Sequence, residues 1–173
     1  MSDDLMSIAR RRFPCGTRVR GTVSGFPAGV GAAGASIDLG GPLPGWVDLL
    51  LLPEEAAGWP PVGRSGFFEI LQHRDHEIRL FPLDAGMRSL RCRYSDITGP
   101  EWAALSARRP VGSTVEATVE HVYTGNREYS VRYADGWETV EYDGVPLSPG
   151  TPVRLVVERQ SEWTRRLILR LAS

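Results

Sequence analysis

The sequence predicts an all-β chain in which two small five-stranded barrels stand in tandem, with short helices between strands and in the connector. Three observations point there. Apolar and polar residues alternate in short runs separated by glycine and proline, the pattern of half-buried strands. A stretch occurs twice: Pro14-Cys15-Gly16-Thr17-Arg18-Val19-Arg20-Gly21-Thr22-Val23 matches Pro110-Val111-Gly112-Ser113-Thr114-Val115-Glu116-Ala117-Thr118-Val119 in its Pro, Gly, hydroxyl, Val, small, Thr and Val positions, as two copies of one small fold would. The 173 residues, 42% hydrophobic and 24% charged, have the make-up of a folded chain rather than a disordered one.

The elements follow in order. Residues 1–12 are an N-terminal lead, 13–84 the first barrel, 85–109 an arginine-rich connector with a short helix, and 110–173 the second barrel. In the first barrel Val19, Gly21 and Val23 alternate with Arg18, Arg20 and Thr22, and Ile37 and Leu39 with Ser36 and Asp38. Phe68 and Ile70, then Ile78 and Leu80, continue the period across a polar turn, Gln72-His73-Arg74-Asp75-His76. Pro53-Glu54-Glu55-Ala56-Ala57 predicts one helical turn between the third and fourth strands, with acids where a helix N-terminus favours them. In the connector, Thr98-Gly99-Pro100-Glu101 has capping-box spacing ahead of Trp102 and Leu105, placing a helix between the barrels. Val115, Ala117 and Val119, then Tyr129, Val131 and Tyr133, then Val153, Leu155 and Val157, then Leu167, Leu169 and Leu171 supply the alternation of the second barrel.

The first copy carries Gly16-x-x-Val19-x-Gly21-x-Val23, Gly34-Ala35-Ser36-Ile37-Asp38-Leu39-Gly40, Gly45-Trp46-Val47-Asp48, and Val62-Gly63 before the last hairpin. On these residues, over nearly all of 13–84, it resembles the ribosomal S-one-type RNA-binding domain, an OB-fold barrel. The resemblance implies single-stranded RNA bound on the face of strands two and three. Where that family places aromatic residues around the Gly-Ala step and a histidine after the third-strand Val, this chain has Ala33, Ser36 and Asp48. The second copy reads as a degenerate OB barrel. Its run from Tyr129 to Val140 also looks like a Tudor or SH3-like barrel, in which tyrosines cage a methylated cation.

Charge separates by segment. All 20 positive residues are arginine against 21 acids, which excludes a globally basic nucleic-acid binder but not a local patch. The barrels are net acidic and the lead and connector net basic. Arg88, Arg91 and Arg93, with Tyr94 beside them, and the outward strand positions Arg18, Arg20 and Arg79 are the expected contacts to RNA or another single-stranded nucleic acid. A protein-interaction adaptor or inhibitor docking through Trp46, Trp59 and Phe67 is the alternative. Gly29-Val30-Gly31-Ala32-Ala33-Gly34 precedes a strand, not the helix a dinucleotide site needs. His73, Asp75 and His76 read as an exposed turn, and Cys15 and His121 are the one thiol–imidazole pair worth naming. No enzyme activity, cofactor or metal is expected. The longest strongly apolar run, Trp46 to Leu52, is too short to span a membrane, and the start lacks the apolar core of a secretory signal, so a cytoplasmic location is expected. The lysine-free composition, with Asn126 its single asparagine, is that of a GC-rich, actinobacterial-like genome.

Overall fold

The structure, a computed structural model, describes residues 2–27, 33–74, 76–91 and 94–173. It divides into two compact units, Met1–Tyr94 and Ser95–Ser173. The first holds α1 (Ser2–Arg12), β1 (Arg18–Gly25), β2 (Gly34–Asp38), β3 (Gly45–Asp48), β4 (Ser65–Arg74) and β5 (Glu77–Pro82). The strands close a barrel in the order β1-β2-β3-β5-β4, antiparallel except where β3 runs parallel to β5. Val23, Ile37, Val47, Phe68, Ile70, Ile78 and Leu80 fill it. All but Val47 are inward positions the alternation predicts. Gly45 is glycine for a packing reason: a Cβ there would run into Leu80 and crowd Ile37.

Two local features differ from expectation. Residues 1–12, read as a lead, form α1, and Met6, Ala9 and Phe13 pack into the barrel core. Their i, i+3, i+7 spacing is that of one helical face. In place of one helical turn over 53–57 there are two 3₁₀ turns, Leu49–Leu51 and Ala56–Gly58. The Asp48 carboxylate accepts from Leu50 N–H at 2.9 Å and caps the first turn early, and Pro53 has no N–H with which to extend it. The polar turn expected over 72–76 is also shorter. β4 continues through Arg74 and leaves His73 wholly buried.

The second unit holds α2 (Gly99–Arg108), β6 (Thr114–Tyr123), β7 (Glu128–Tyr133), β8 (Gly136–Glu141), β9 (Pro152–Ser161) and β10 (Arg166–Leu171). Its sheet runs β10-β9-β6-β7-β8. β6 lies between β7 and β9 as β1 lies between β2 and β4, so the cyclic order matches the first barrel and both sheets are OB-like. Where β3 pairs with β5, β8 and β10 approach each other with no ladder between them.

Equivalent residues make equivalent bonds in the two units. Gly16 N–H donates to Ile70 O and Gly112 N–H to Val157 O, each at 2.8 Å; Gly63 N–H donates to Val23 O at 2.8 Å and Gly150 N–H to Val119 O at 2.7 Å. All four glycines have positive φ, a conformation costly for other residues. β1 and β6 each shift register directly after Val23 and Val119. The capping box forms as expected: Thr98 N–H donates to Glu101 Oε2 at 2.8 Å, and the Thr98 hydroxyl accepts from Glu101 N–H. Trp102 and Leu105 of α2 belong to the core of the second unit, with Trp102 Nε1–H donating to Glu162 Oε2 at 2.6 Å.

Candidate nucleic-acid interface

Because Val19 and Val23 point inward, Arg18 and Arg20 point outward from β1; because Phe68 and Ile70 point inward, Phe67 points outward from β4. Arg20 is paired directly across from Phe67, and Arg18 from Glu69. The Arg18 guanidinium lies 3.7 Å from the centroid of the Phe67 ring, which remains 37% exposed. Asp84 Oδ2 accepts from Phe67 N–H at 3.1 Å and fixes the backbone beneath the ring. Among the described residues no carboxylate forms an ion pair with Arg18 or Arg20.

The same outer face continues onto β5. Phe81 stands opposite Glu69, two strands from Arg18, and both Phe81 and Glu69 are buried there. Arg88 places its guanidinium 5.4 Å from the Phe81 ring centroid, and Tyr94, 42% exposed, meets that ring edge-on at 6.0 Å. Beside Tyr94 an open groove of about 380 Å³ is lined by Leu50, Leu71, Arg74 and Arg79.

The arginines named from the sequence therefore separate. Arg18, Arg20, Arg88 and Tyr94 gather along the outer side of β1, β4 and β5. Arg79 is held by Glu77 at 2.7 Å and by Asp48 at 3.7 Å, and Arg91 by Glu54 at 3.1 Å. Arg93 lies outside the described residues. In the second unit Arg108 and Arg109 both grip Asp135, at 2.6 and 2.8 Å. Burial opposes ionisation of Asp135, but these two hydrogen-bonded cations hold its carboxyl below the usual range.

On the β2–β3 face, Ser24 Oγ donates to Ser36 Oγ at 3.0 Å. Trp46 packs against Gly34, where a Cβ would come within 2.8 Å of its Cζ2. The indole is thereby buried, with the Arg79 guanidinium 6.0 Å from its ring. Trp59 is half-buried: it stacks on Phe26 at 5.1 Å and donates Nε1–H to Pro53 O at 2.8 Å. Of Trp46, Trp59 and Phe67, the residues of the docking alternative, only Phe67 offers an exposed ring, because the other two are used in packing.

The remaining motifs fare unevenly. Residues 29–32 of the glycine-rich run and Asp75 lie outside the described residues, and Gly34 opens β2. Tyr129 is core rather than cage: it is buried, stacks on Tyr142 at 4.3 Å, and its hydroxyl accepts from Leu147 N–H at 2.8 Å. Burial, followed by the charges of Glu138 and Asp135, pushes the Tyr133 hydroxyl up to about 12. Cys15 is placed with His73, not His121. Sequence reasoning also passed over Phe81, although its position two residues after Arg79 puts both on one side of a strand.

No protein-family profile matches the chain, the S-one-type profile included, and no curated protein sequence matches it. Among solved structures, a multidomain protein with nucleic acid binding domains from Streptococcus pneumoniae is similar over 91% of this chain and 51% of its own, at 17% identity and a TM-score of 0.33. The chain thus spans about half the length of that protein. Tetrameric p202 HIN2 is similar over 92% of this chain and 89% of its own, at 12% identity and a TM-score of 0.29. Among the described residues no helix is long and apolar enough to cross a membrane.

Proposed function

We propose that this chain is a non-catalytic binder of single-stranded nucleic acid, with RNA as its ligand, and that binding centres on the outer face of β1, β4 and β5 in the first unit. The observation that carries the reading is the Arg18 guanidinium lying over the Phe67 ring with Arg20 beside it; among the described residues neither forms an ion pair, and the acid directly across from Arg18, Glu69, is wholly buried. A guanidinium held against a ring presents its other plane to a base, and arginine planes stack bases as aromatic rings do. Arg20 supplies a phosphate contact that costs no existing ion pair. Along the same face Phe81 is buried beneath Arg88 and Tyr94, and the exposed Tyr94 ring offers a second base platform. Arg79 and Arg91 contribute little, since each would first have to leave a carboxylate. The choice of RNA over DNA rests on the S-one-type resemblance of residues 13–84.

Titration of labelled single-stranded RNA, with DNA of the same sequence beside it, tests the reading. Stacking on one platform is worth about 1–3 kcal/mol per base. Phe67→Ala should therefore weaken RNA binding roughly 5- to 150-fold, whereas Arg91→Ala should leave it nearly unchanged. Tighter binding of the DNA contradicts the choice of ligand. Absence of binding at low salt, or equal binding by Phe67→Ala, overturns the site. In the first case a partner captured by the native chain and lost with Phe67→Glu would favour the adaptor reading.

A further inference from the structure

We infer that the groove beside Tyr94 binds a guanosine 5′-phosphate, either as a free nucleotide or as the first nucleotide of a strand. The inference concerns one nucleotide and stands whether or not a longer strand lies over Phe67. The groove measures about 380 Å³, within the range of small-molecule sites. Four segments of the first unit line it: Asp48 and Leu50 where β3 passes into the 3₁₀ turn, Leu71 and Arg74 on β4, Arg79 on β5, and Tyr94.

Three features together select the ligand. The exposed Tyr94 ring and the apolar side chains of Leu50 and Leu71 border the same space, which favours the flat face of a base. The second feature is the Asp48 carboxylate. Oδ1 accepts from Leu50 N–H at 2.9 Å and Oδ2 lies 3.7 Å from Arg79 Nη1, yet the side chain keeps 49% of its exposure. An ionised carboxylate only accepts, and its two oxygens together take about four hydrogen bonds. Guanine presents two donors side by side on its pairing edge, N1–H and the N2 amino group, which match the two oxygens. Adenine and cytosine offer one amino group beside an acceptor, and uracil one N–H between two acceptors, so none of these satisfies both oxygens.

Charge supplies the third feature. Two arginines and one acid line the groove. Arg79 is neutralised by Glu77 at 2.7 Å and by Asp48. Arg74 donates Nε–H to Gln72 Oε1 at 3.2 Å, and among the described residues no carboxylate pairs with it. Its guanidinium therefore meets a phosphate without giving up an ion pair, in the two-bond geometry that suits arginine.

Calorimetric titration of the full chain with guanosine 5′-monophosphate, adenosine 5′-monophosphate and guanosine tests the site. A two-bond base contact discriminates by roughly 5- to 150-fold, so the adenosine nucleotide should bind at least about 5-fold more weakly than the guanosine nucleotide. Guanosine, which lacks the phosphate, should bind about 10-fold more weakly. Asp48→Asn, which keeps an oxygen for Leu50 N–H, should erase the preference for guanine. Arg74→Ala should erase the preference for phosphate, Tyr94→Ala should weaken all three ligands, and Phe67→Ala should change none. A second arm compares RNA strands that begin with guanosine, with and without a 5′-phosphate. A gain from the phosphate that is lost in Arg74→Ala assigns the strand end; no gain, with guanosine 5′-monophosphate still bound, assigns the free nucleotide. Neither a gain nor binding of the nucleotide at millimolar concentration overturns the site. Equal binding of the two monophosphates, or a guanine preference intact in Asp48→Asn, overturns the choice of base, and a phosphate preference intact in Arg74→Ala overturns the role of Arg74.

Discussion

At Phe67, a ring that strand alternation turns outward is covered by an arginine rather than left to water. An exposed cation–π contact of this kind stabilises by about 0.5–1 kcal/mol, so Arg18→Ala should cost no more than about 1 kcal/mol of unfolding free energy in urea while strongly weakening RNA binding. A structural arginine would reverse that ratio. Tyr133 gives a pH prediction. Its hydroxyl is raised to about 12, chiefly by burial, so between the unfolded value near 10 and about 12 the unfolded chain binds fewer protons than the folded one. Its contribution to stability is complete below about pH 10 and is lost as the pH rises toward about 12. Tyr133→Phe should lose less stability across that window in urea melts; an identical loss would contradict the assignment. Neither Arg18 nor Phe67 was obscure in the sequence, where alternation turned both outward. What it could not supply was their register, since pairing across strands depends on where β1 meets β4. One reading therefore took Arg18 for RNA and the other took Phe67 for protein, although the two are a single contact.

At the level of elements, α2 is fixed at its start by the Thr98–Glu101 box and along its length by Trp102 and Leu105 in the core of the second unit. The Thr98 hydrogen bonds hold the Glu101 carboxyl below its usual range. Losing an N-cap of this type costs about 1 kcal/mol, so Thr98→Ala should lower the urea midpoint by a corresponding, modest amount, and Thr98→Ser should restore it. α1 answers to packing instead. Met6 is buried in the first core, and truncating a buried Met to Ala costs about 2–5 kcal/mol. A Met6→Ala chain as stable as the native one would mean that α1 does not dock. The capping box was readable because its spacing is local. α1 was not, because Met6, Ala9 and Phe13 are few and sit among charges. A short segment of that kind becomes helical only when a tertiary surface buries its apolar side. The 3₁₀ turns at Leu49–Leu51 and Ala56–Gly58 were misjudged for a related reason: acids after Pro53 suggest a helix start, but the Asp48 cap acts one turn earlier.

Over the whole molecule, charge is close to balanced, and the pairing of charges decides more than their number. Residues 1–94 carry 11 arginines against 10 acids, and residues 95–173 carry 9 against 11. Much of the apparent basic strip in the connector is neutralised locally, Arg91 by Glu54 and Arg108 with Arg109 by Asp135. Segment arithmetic pointed to the connector because it counts charges without their partners. The two barrel-like sheets, by contrast, were legible from alternation and from the matched stretches at 14–23 and 110–119, whose glycines make the same bonds in both units. If RNA is held on the outer face of the first barrel by arginines that have no ion pair among the described residues, the salt dependence of binding reports it. For single strands the slope of log affinity against log salt is about −0.7 per phosphate neutralised. Replacing Arg18 and Arg20 together by alanine should make that slope shallower by about 0.7, because Arg20 contacts phosphate while Arg18 stacks on a base, and replacing Arg79 and Arg91 should leave it unchanged. The opposite pattern, a slope insensitive to Arg18 and Arg20 but reduced by loss of Arg79 and Arg91, would contradict the account.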